Sequence, residues 1–296
     1  MKQYPVKFVE IPNGEKIAYR QAGEAGAALV LIHGNISSSV FWQTVMEQLE
    51  SDYRIFAPDM RGFGDSSYNA EFSTIGELAE DIKQFINAVG IEDFYVVGWS
   101  AGGPVAAEIA ADWPDRVKHM VLLCTGALNG FPYARDENSP ALSAENPLTK
   151  EEINNHPQLS MLRKALENGE RETLRFICNL SLYKSKQPPE EEYEQYLEAM
   201  TKQRCKTDID YALITYNMTH QPNMAAREGS GRVDLLKGPV TILHSEEDVV
   251  TPLVWGQATK ELLGDRAELV VMKGLGHSPV TDDLPLVVQN LKNALK

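Results

Sequence analysis

Cysteine and long apolar runs are both scarce in this sequence of 296 residues. The three thiols, Cys124, Cys178 and Cys205, are odd in number and lie in no Cys-x-x-Cys spacing, which argues against a disulfide framework and a zinc knuckle. No run approaches the roughly 18 apolar residues of a membrane span, and the N-terminus has no apolar signal region. We therefore expect a protein of the reducing cytoplasm.

Positive charge is also in short supply. The 28 lysines and arginines are outnumbered by 42 aspartates and glutamates, which gives a net charge of -14. Such a surface repels nucleic-acid phosphates and anionic lipid headgroups. The composition thus predicts no nucleic-acid partner and no membrane partner. The apolar share of 43% is ample for a large core.

Apolar segments that resemble strands recur along most of the chain. They cover residues 6–11, 16–21, 28–32, 54–58, 94–97, 119–124, 240–244 and 268–272. The last six are continuous apolar runs, typical of parallel strands buried on both faces, whereas the first two are closer to alternation and suit an antiparallel edge hairpin. Helical patterns separate the parallel candidates, as in the Thr74-x-x-Glu77 capping box that opens one of them. We predict an α/β fold, with an eight-stranded, mostly parallel sheet flanked by helices.

The alternation stops in the middle of the chain. Residues 128–232 contain helix signals, among them a Thr149-x-x-Glu152 capping box, but no convincing strand. We interpret 128–232 as an inserted helical cap and residues 1–127 and 233–296 as the core domain. A cap of this kind can act as a lid and supply pocket walls.

The pentapeptide 98–102, Gly-Trp-Ser-Ala-Gly, directly follows an apolar strand candidate. Glycines on both sides of a serine permit the sharp, strained strand-to-helix turn of a nucleophile elbow. Glycine and serine are also common turn residues, so the surrounding pattern carries the argument. In this context Ser100 is predicted to be an attacking hydroxyl.

A serine nucleophile needs a base and an acid that orients the base. His277 lies in a glycine-rich loop after the last strand candidate, and Asp248 follows the preceding strand. Both lie at carboxyl ends of parallel strands, where open α/β sheets place their sites. We assign His277 as the base and Asp248 as the acid, while Glu246 and Glu247 remain alternatives for the acid.

Two backbone N–H groups are candidates for an oxyanion hole, those of Asn35 and Ala101. Asn35 follows His33 and Gly34 after the third strand, and Ala101 follows the nucleophile. Both could converge on one oxygen, with Gly34 allowing close approach of the backbone. His33 is expected to support this loop. The other histidines lack the spacing of metal ligands, so we propose neither a metal nor another cofactor.

These motifs together resemble the α/β-hydrolase fold superfamily, in particular its members with a helical cap after the sixth strand. The loop of residues 59–67, which contains Asp59 and Arg61, also resembles this subgroup and is expected to tie loops together. The resemblance implies a serine hydrolase that needs no cofactor. Within it, Ser100 argues against dehalogenases and epoxide hydrolases, and Ser278 after His277 argues against carbon–carbon bond hydrolases.

By elimination, the expected activity is an esterase or lactonase that cleaves a small carboxylic ester or lactone. Two alternatives remain: a small-molecule signal receptor with a slow or vestigial triad, and an acyltransferase or perhydrolase. An exposed apolar patch on the cap would favour the receptor. The candidate pocket residues are Trp99, Phe131, Tyr133, Tyr183 and Tyr216, although most such residues simply pack cap helices together. The exact substrate and the oligomeric state are not encoded in any motif.

Overall fold

The alternating strands and helices form an eight-stranded sheet in the computed structural model, which describes residues 1–133 and 140–295. The strands are β1 (Lys7–Glu10), β2 (Lys16–Ala22), β3 (Ala27–Ile32), β4 (Tyr53–Pro58), β5 (Phe94–Trp99), β6 (Val117–Leu123), β7 (Val240–Ser245) and β8 (Ala267–Met272). Their order in the sheet is β1-β2-β4-β3-β5-β6-β7-β8. All eight strand candidates are therefore present, and the predicted fold class is confirmed.

Strand direction also follows the sequence pattern. The two strands closest to alternation, β1 and β2, pair antiparallel with each other, and β2 pairs antiparallel with β4. Every pair from β4 through β3, β5, β6 and β7 to β8 is parallel. The carboxyl ends of these parallel strands therefore share one edge of the sheet, where a site is expected.

Helices connect the parallel strands and follow the last one. They are α1 (Gln43–Leu49), α2 (Ile75–Ala88), α3 (Gly102–Asp112), α4 (Lys150–Asn155), α5 (Pro157–Glu167), α6 (Arg171–Ser181), α7 (Glu190–Thr201), α8 (Lys206–Thr215), α9 (Leu253–Leu263), α10 (Pro279–Asp282) and α11 (Leu284–Ala294). The two predicted capping boxes are formed, at Thr74 with Glu77 and at Thr149 with Glu152. Each satisfies N–H groups that the first helical turn leaves unpaired.

The apolar core divides into two layers because successive side chains of a strand point to opposite faces. In β3, Val30 and Ile32 belong to one layer, together with residues of α2 and α3. Leu29 and Leu31 belong to the other, together with residues of α1 and α11. This burial on both faces is the reason that β3 reads as a continuous apolar run.

Helices α4 to α8 lie between β6 and β7 in the chain, and no strand occurs in the described residues of that interval. We call α4 to α8 the helical segment. It contacts the core near the carboxyl edge of the sheet, where the N–H of Ser278 donates to the carbonyl of Leu182 at 2.9 Å. The boundaries of a separate cap domain stay a prediction.

The loop that contains Asp59 and Arg61 connects several core elements. The Asp59 carboxylate accepts from the N–H of Ser39 at 2.7 Å and from that of Asp65 at 3.0 Å. The buried Arg61 guanidinium donates two hydrogen bonds to Asp81 on α2, at 2.7 and 2.8 Å. These contacts match the tying role predicted for both residues.

None of the helices in residues 1–133 and 140–295 has the length and apolar character that a membrane crossing requires.

Candidate active site

Ser100 lies in a strained turn between β5 and α3. Its φ of 52° falls in the left-handed region, which non-glycine residues rarely adopt. A Cβ atom on Gly98 would lie 2.3 Å from the carbonyl oxygen of Gly102, and one on Gly102 would lie 2.4 Å from that of Ile32. Both glycines are thus required by close backbone contacts, as expected for a nucleophile elbow.

The structure brings Ser100, His277 and Asp248 together at the carboxyl edge of the sheet. The Ser100 Oγ lies 3.0 Å from His277 Nε2, and His277 Nδ1 lies 2.8 Å from Asp248 Oδ2. All three residues are buried. Because an ionised carboxylate only accepts hydrogen bonds, Nδ1 carries the proton and Nε2 is free to accept the one from Ser100. This is the geometry of a nucleophile, a base and an orienting acid.

The loop around Asp248 holds its carboxylate in place. The N–H groups of Val250 and Thr251 each donate to Asp248 Oδ1 at 2.8 Å, and Thr251 Oγ1 lies 2.7 Å from Oδ2. Burial raises the pKa of Asp248, but the hydrogen bonds from His277 and Thr251 outweigh it, and the pKa lies below its ordinary value. Asp248 is therefore held as the carboxylate.

The two alternative acids are placed differently. Glu246 and Glu247 are both exposed, and the Glu247 carboxylate pairs with Lys184 Nζ at 2.7 Å. The carboxylate that accepts from His277 Nδ1 at 2.8 Å is that of Asp248. The geometry therefore favours Asp248 over its neighbours.

The loop after β3 presses against the nucleophile. A Cβ atom on Gly34 would lie 3.0 Å from Ser100 Cβ, so only glycine permits this approach without a shift. No described residue accepts a hydrogen bond from the backbone N–H of Asn35 or Ala101. Both N–H groups therefore stay candidates for an oxyanion hole, whose donors must be free to bind the oxygen of the substrate.

His33 links this loop to the loop after β4. Its Nε2 accepts from the N–H of Met60 at 3.0 Å, which places the proton on Nδ1, 2.7 Å from the carbonyl oxygen of Gly34. Burial is the largest influence on its pKa and lowers it, so the ring is neutral. His33 thus fixes the position of the Asn35 loop, as the sequence suggested.

A cavity of about 300 Å³ opens beside Ser100. Its described wall combines the core with the helical segment and is mostly aliphatic or aromatic. The lining residues include Asn35, Ile36, Trp99, Phe131, Leu159, Leu162, Leu174, Ile177, Cys178, Leu182, Lys206, Asp210, Leu213, Ile214, Val250 and His277. Such a cavity suits a small, largely apolar group.

Two of the five predicted pocket residues are on this wall, Trp99 and Phe131. The Trp99 indole N–H also donates to the backbone carbonyl of His277 at 2.9 Å, so this residue holds the base as well. Its position directly before Ser100 explains both contacts, because the elbow carries it to the strand end.

The other three predicted pocket residues are not on the described wall of the cavity, and their contact with a substrate stays a prediction. The Tyr183 ring packs at 5.4 Å from that of Tyr193 inside the helical segment. Tyr133 packs with its ring 5.3 Å from that of His156. Tyr216 lines a separate depression with Glu108. These three tyrosines thus contact neighbours outside the described wall of the cavity.

Sequence reasoning missed three contributors to the site. Thr251 had a local signal, since Asp-x-x-Thr after a strand is the spacing of a side-chain turn. Lys206 and Asp210, which line the cavity, have the i, i+4 spacing of a helical ion pair but gave no sign of facing inward. Among the described residues, no three His, Cys, Asp or Glu side chains form a group that could hold a metal ion.

Comparison with known proteins places this geometry in a family. The α/β hydrolase fold family matches residues 27–283. A 2-hydroxy-6-oxo-6-phenylhexa-2,4-dienoate hydrolase from Comamonas testosteroni is 26% identical over 88% of this chain and 84% of its own length. A pimeloyl-[acyl-carrier protein] methyl ester esterase from Aliivibrio salmonicida is 35% identical over 36% of this chain and 39% of its own. Several other curated relatives likewise match over only 31% to 40% of their own length.

The likeness also holds in three dimensions. A solved esterase from Exiguobacterium antarcticum superimposes with a TM-score of 0.74 at 18% identity, over 97% of this chain and 98% of that one. At this identity the likeness concerns the fold alone. The family match, which spans most of the sequence, is the stronger finding: the chain belongs to the α/β hydrolase fold family.

Proposed function

We propose that this protein hydrolyses a small carboxylic ester or lactone through an acyl-enzyme on Ser100. The observation that carries the proposal is the continuous chain of hydrogen bonds from Ser100 through His277 to Asp248, placed beside a cavity of about 300 Å³. The size of the cavity suits a short acyl group or a small ring. The esterase among the relatives supports the reaction class.

In the proposed first step, Ser100 Oγ attacks the ester carbon while His277 Nε2 takes its proton. Negative charge develops on the carbonyl oxygen, where the N–H groups of Asn35 and Ala101 stabilise it. The resulting imidazolium is stabilised by Asp248 and returns the proton to the leaving alcohol oxygen. This leaves the acyl group on Ser100.

In the second step, His277 accepts a proton from water, and the resulting hydroxide attacks the acyl carbon. Collapse of this second intermediate returns the proton to Ser100 Oγ and releases the acid. A lactone would follow the same steps, with the alcohol still joined to the acid in the product. No cofactor enters either step.

The test is hydrolysis of p-nitrophenyl acetate by a Ser100→Ala variant. We expect a loss of at least about a thousandfold in kcat, since removal of a triad nucleophile leaves only binding and oxyanion stabilisation. Ser160→Ala is the matched control, because the Ser160 hydroxyl on α5 donates within its own helix, to the carbonyl of Pro157 at 3.1 Å. A Ser100→Ala rate near that of the parent would disprove the assignment.

One observation favours a second candidate, a receptor for a small signal molecule. Met161 on α5 and Phe176 and Leu180 on α6 are 57%, 64% and 67% exposed, so the helical segment presents apolar side chains to solvent. A receptor would bind its ligand in the same cavity and turn over slowly. Rapid multiple turnover on short acyl esters would exclude it.

Acyl transfer is the third possibility that the same residues allow. Its acyl-enzyme would react with an acceptor other than water, including peroxide. Product analysis with and without a competing alcohol separates the two, because hydrolysis gives only the free acid.

A further inference from the structure

A lysine and an aspartate interrupt the apolar wall of the active-site cavity. Lys206, the first residue of α8, is only 5% exposed, and Asp210 lies one turn later on the same helix. The Lys206 Nζ pairs with Asp210 Oδ2, and both residues line the cavity together with Ser100. A buried ion pair is costly to desolvate and is weak evidence for stability. We therefore look for a role of the Lys206–Asp210 pair in the active site instead of in stability.

Asp210 also contacts the loop after β3 that contains Asn35. Its second oxygen, Oδ1, lies 3.3 Å from Asn35 Nδ2, while Asn35 Oδ1 accepts from Gln203 Nε2 at 2.9 Å. Both oxygens of Asp210 therefore have donors, and the carboxylate helps to position Asn35, whose N–H is a proposed donor to the reacting oxygen. Asp210 is a positioning residue in this arrangement.

Lys206 has hydrogen-bonding capacity left over. An ammonium group carries three N–H donors, and among the described residues only Asp210 accepts from Lys206. The other nearby carboxylate of α8, Asp208, is engaged on another side by Tyr68 at 2.6 Å and Lys150 at 2.7 Å. Lys206 lines both this cavity and a second depression that also contains Asp208, so a ligand bound in the cavity could accept from its unused N–H groups.

We propose that Lys206 selects substrates that carry a neutral oxygen, such as an ether, ketone or hydroxyl oxygen, in the part that fills this cavity. The inference rests on the proposed ester hydrolysis. A neutral acceptor is favoured over a carboxylate because Asp210 already balances the lysine charge, and a second carboxylate would be repelled by Asp210. Without such an oxygen the buried N–H donors stay unsatisfied, which disfavours a purely alkyl substrate.

The test compares p-nitrophenyl esters whose acyl chains match in length. The pairs are methoxyacetate with butanoate, 3-methoxypropanoate with pentanoate, and 4-methoxybutanoate with hexanoate. Each ratio of kcat/KM is divided by the ratio for alkaline hydrolysis, which removes the inductive effect of the oxygen. At one position or more we expect a preference of about tenfold for the methoxy ester, the size of a hydrogen bond from a charged donor.

Lys206→Met should abolish this preference, and Lys260→Met is the matched control, since Lys260 is on α9 and donates to the carbonyl of Gly264. Where Lys206→Met fails to fold, Lys206→Met combined with Asp210→Asn leaves no unpaired carboxylate and should give the same loss. No preference in the parent, or one that survives Lys206→Met, would overturn the inference. So would a preference for the half-ester of glutaric acid, whose chain ends in a carboxylate.

The experiments distinguish a failure of the proposed ester hydrolysis from a failure of the proposed role of Lys206. Hydrolysis of the alkyl esters that depends on Ser100 supports the proposed function, whatever the ratios show. If no ester is hydrolysed, calorimetric titration of the Ser100→Ala protein with the methyl esters of all six acids still compares each pair of chains. Equal dissociation constants within all three pairs would then contradict the role of Lys206.

Discussion

The carboxyl edge of the sheet and the helical segment contribute to the same cavity in different ways. At the sheet edge, each functional residue lies in the loop after a parallel strand: Ser100 directly after β5, Asp248 three residues after β7 and His277 five residues after β8. In the helical segment, the angular position around a helix decides which side chain faces inward. Phe176 of α6 is 64% exposed, whereas its neighbour Ile177 lines the cavity.

We therefore expect the sheet edge to determine the reaction and the helical segment to determine which substrates are accepted. The elbow has close backbone contacts that only glycine tolerates, so its geometry is fixed by the fold. The walls from α5, α6 and α8 are side chains of ordinary helices, which accept other apolar residues with small changes in shape. Substitutions at the sheet edge should therefore reduce every reaction, while substitutions in the helical segment should change which substrates react.

The largest effect is expected for Asp248→Asn. The asparagine amide can hold His277 in the wrong tautomer, with the proton on Nε2 instead of Nδ1, so that the ring no longer accepts from Ser100. By analogy with other triads, kcat should fall by about 10³ to 10⁴ at neutral pH. Steady-state assays on p-nitrophenyl acetate measure this effect.

Glu247→Gln is the control for that prediction. Its carboxylate is exposed and pairs with Lys184, so a change of less than about twofold is expected for a surface pair. A larger loss of kcat in Glu247→Gln than in Asp248→Asn would mean that Glu247 is the acid, although it is exposed and Asp248 is buried.

A smaller effect is expected for Thr251→Val at the same edge. The substitution keeps the shape and the N–H bond to Asp248 Oδ1 but removes Oγ1, which lies 2.7 Å from Oδ2 and 3.0 Å from the carbonyl oxygen of Cys124. One lost hydrogen bond to a charged group predicts a fall of about tenfold in kcat, with little change in KM. An unchanged kcat would show that the two N–H bonds suffice to hold the carboxylate.

The sequence pattern predicted the sheet because strands buried on both faces leave continuous apolar runs. It also predicted Ser100, Asn35, Asp248 and His277 as neighbours, because strand ends in a parallel sheet converge. It did not distinguish Tyr133, Tyr183 and Tyr216 from residues of the described wall, since an aromatic side chain gives the same signal when it packs between helices as when it lines a pocket. Lys206 was missed because a charged residue ordinarily marks the solvent face of a helix.

A substitution in α6 tests whether the helical segment determines which substrates react. Ile177→Trp adds bulk to a wall of the cavity of about 300 Å³, so long acyl chains should lose access before short ones do. We expect kcat/KM for p-nitrophenyl hexanoate to fall by about tenfold more than that for acetate, comparable to the loss of one or two methylene contacts. Phe176→Ala, on the solvent side of the same helix, should leave this ratio unchanged. Equal losses on both esters would mean that α6 affects the reaction itself.

The smallest effect concerns stability in acid. In the folded protein the pKa of Asp248 lies below its ordinary value of 3.8, because the hydrogen bonds from His277 and Thr251 outweigh the effect of burial. At a pH between the folded and the ordinary pKa, the unfolded chain binds a proton that the folded protein does not. The ionised Asp248 therefore contributes its full stabilisation above the ordinary pKa, and this stabilisation is lost as the pH falls through the lowered pKa of the folded protein. Urea unfolding of the parent and of Asp248→Asn between pH 7 and pH 3 measures it. The parent should lose more stability than the variant below about pH 4, since asparagine does not titrate. Parallel curves would show that the carboxylate has the same proton affinity folded and unfolded, and that the loop around it is held by its backbone alone.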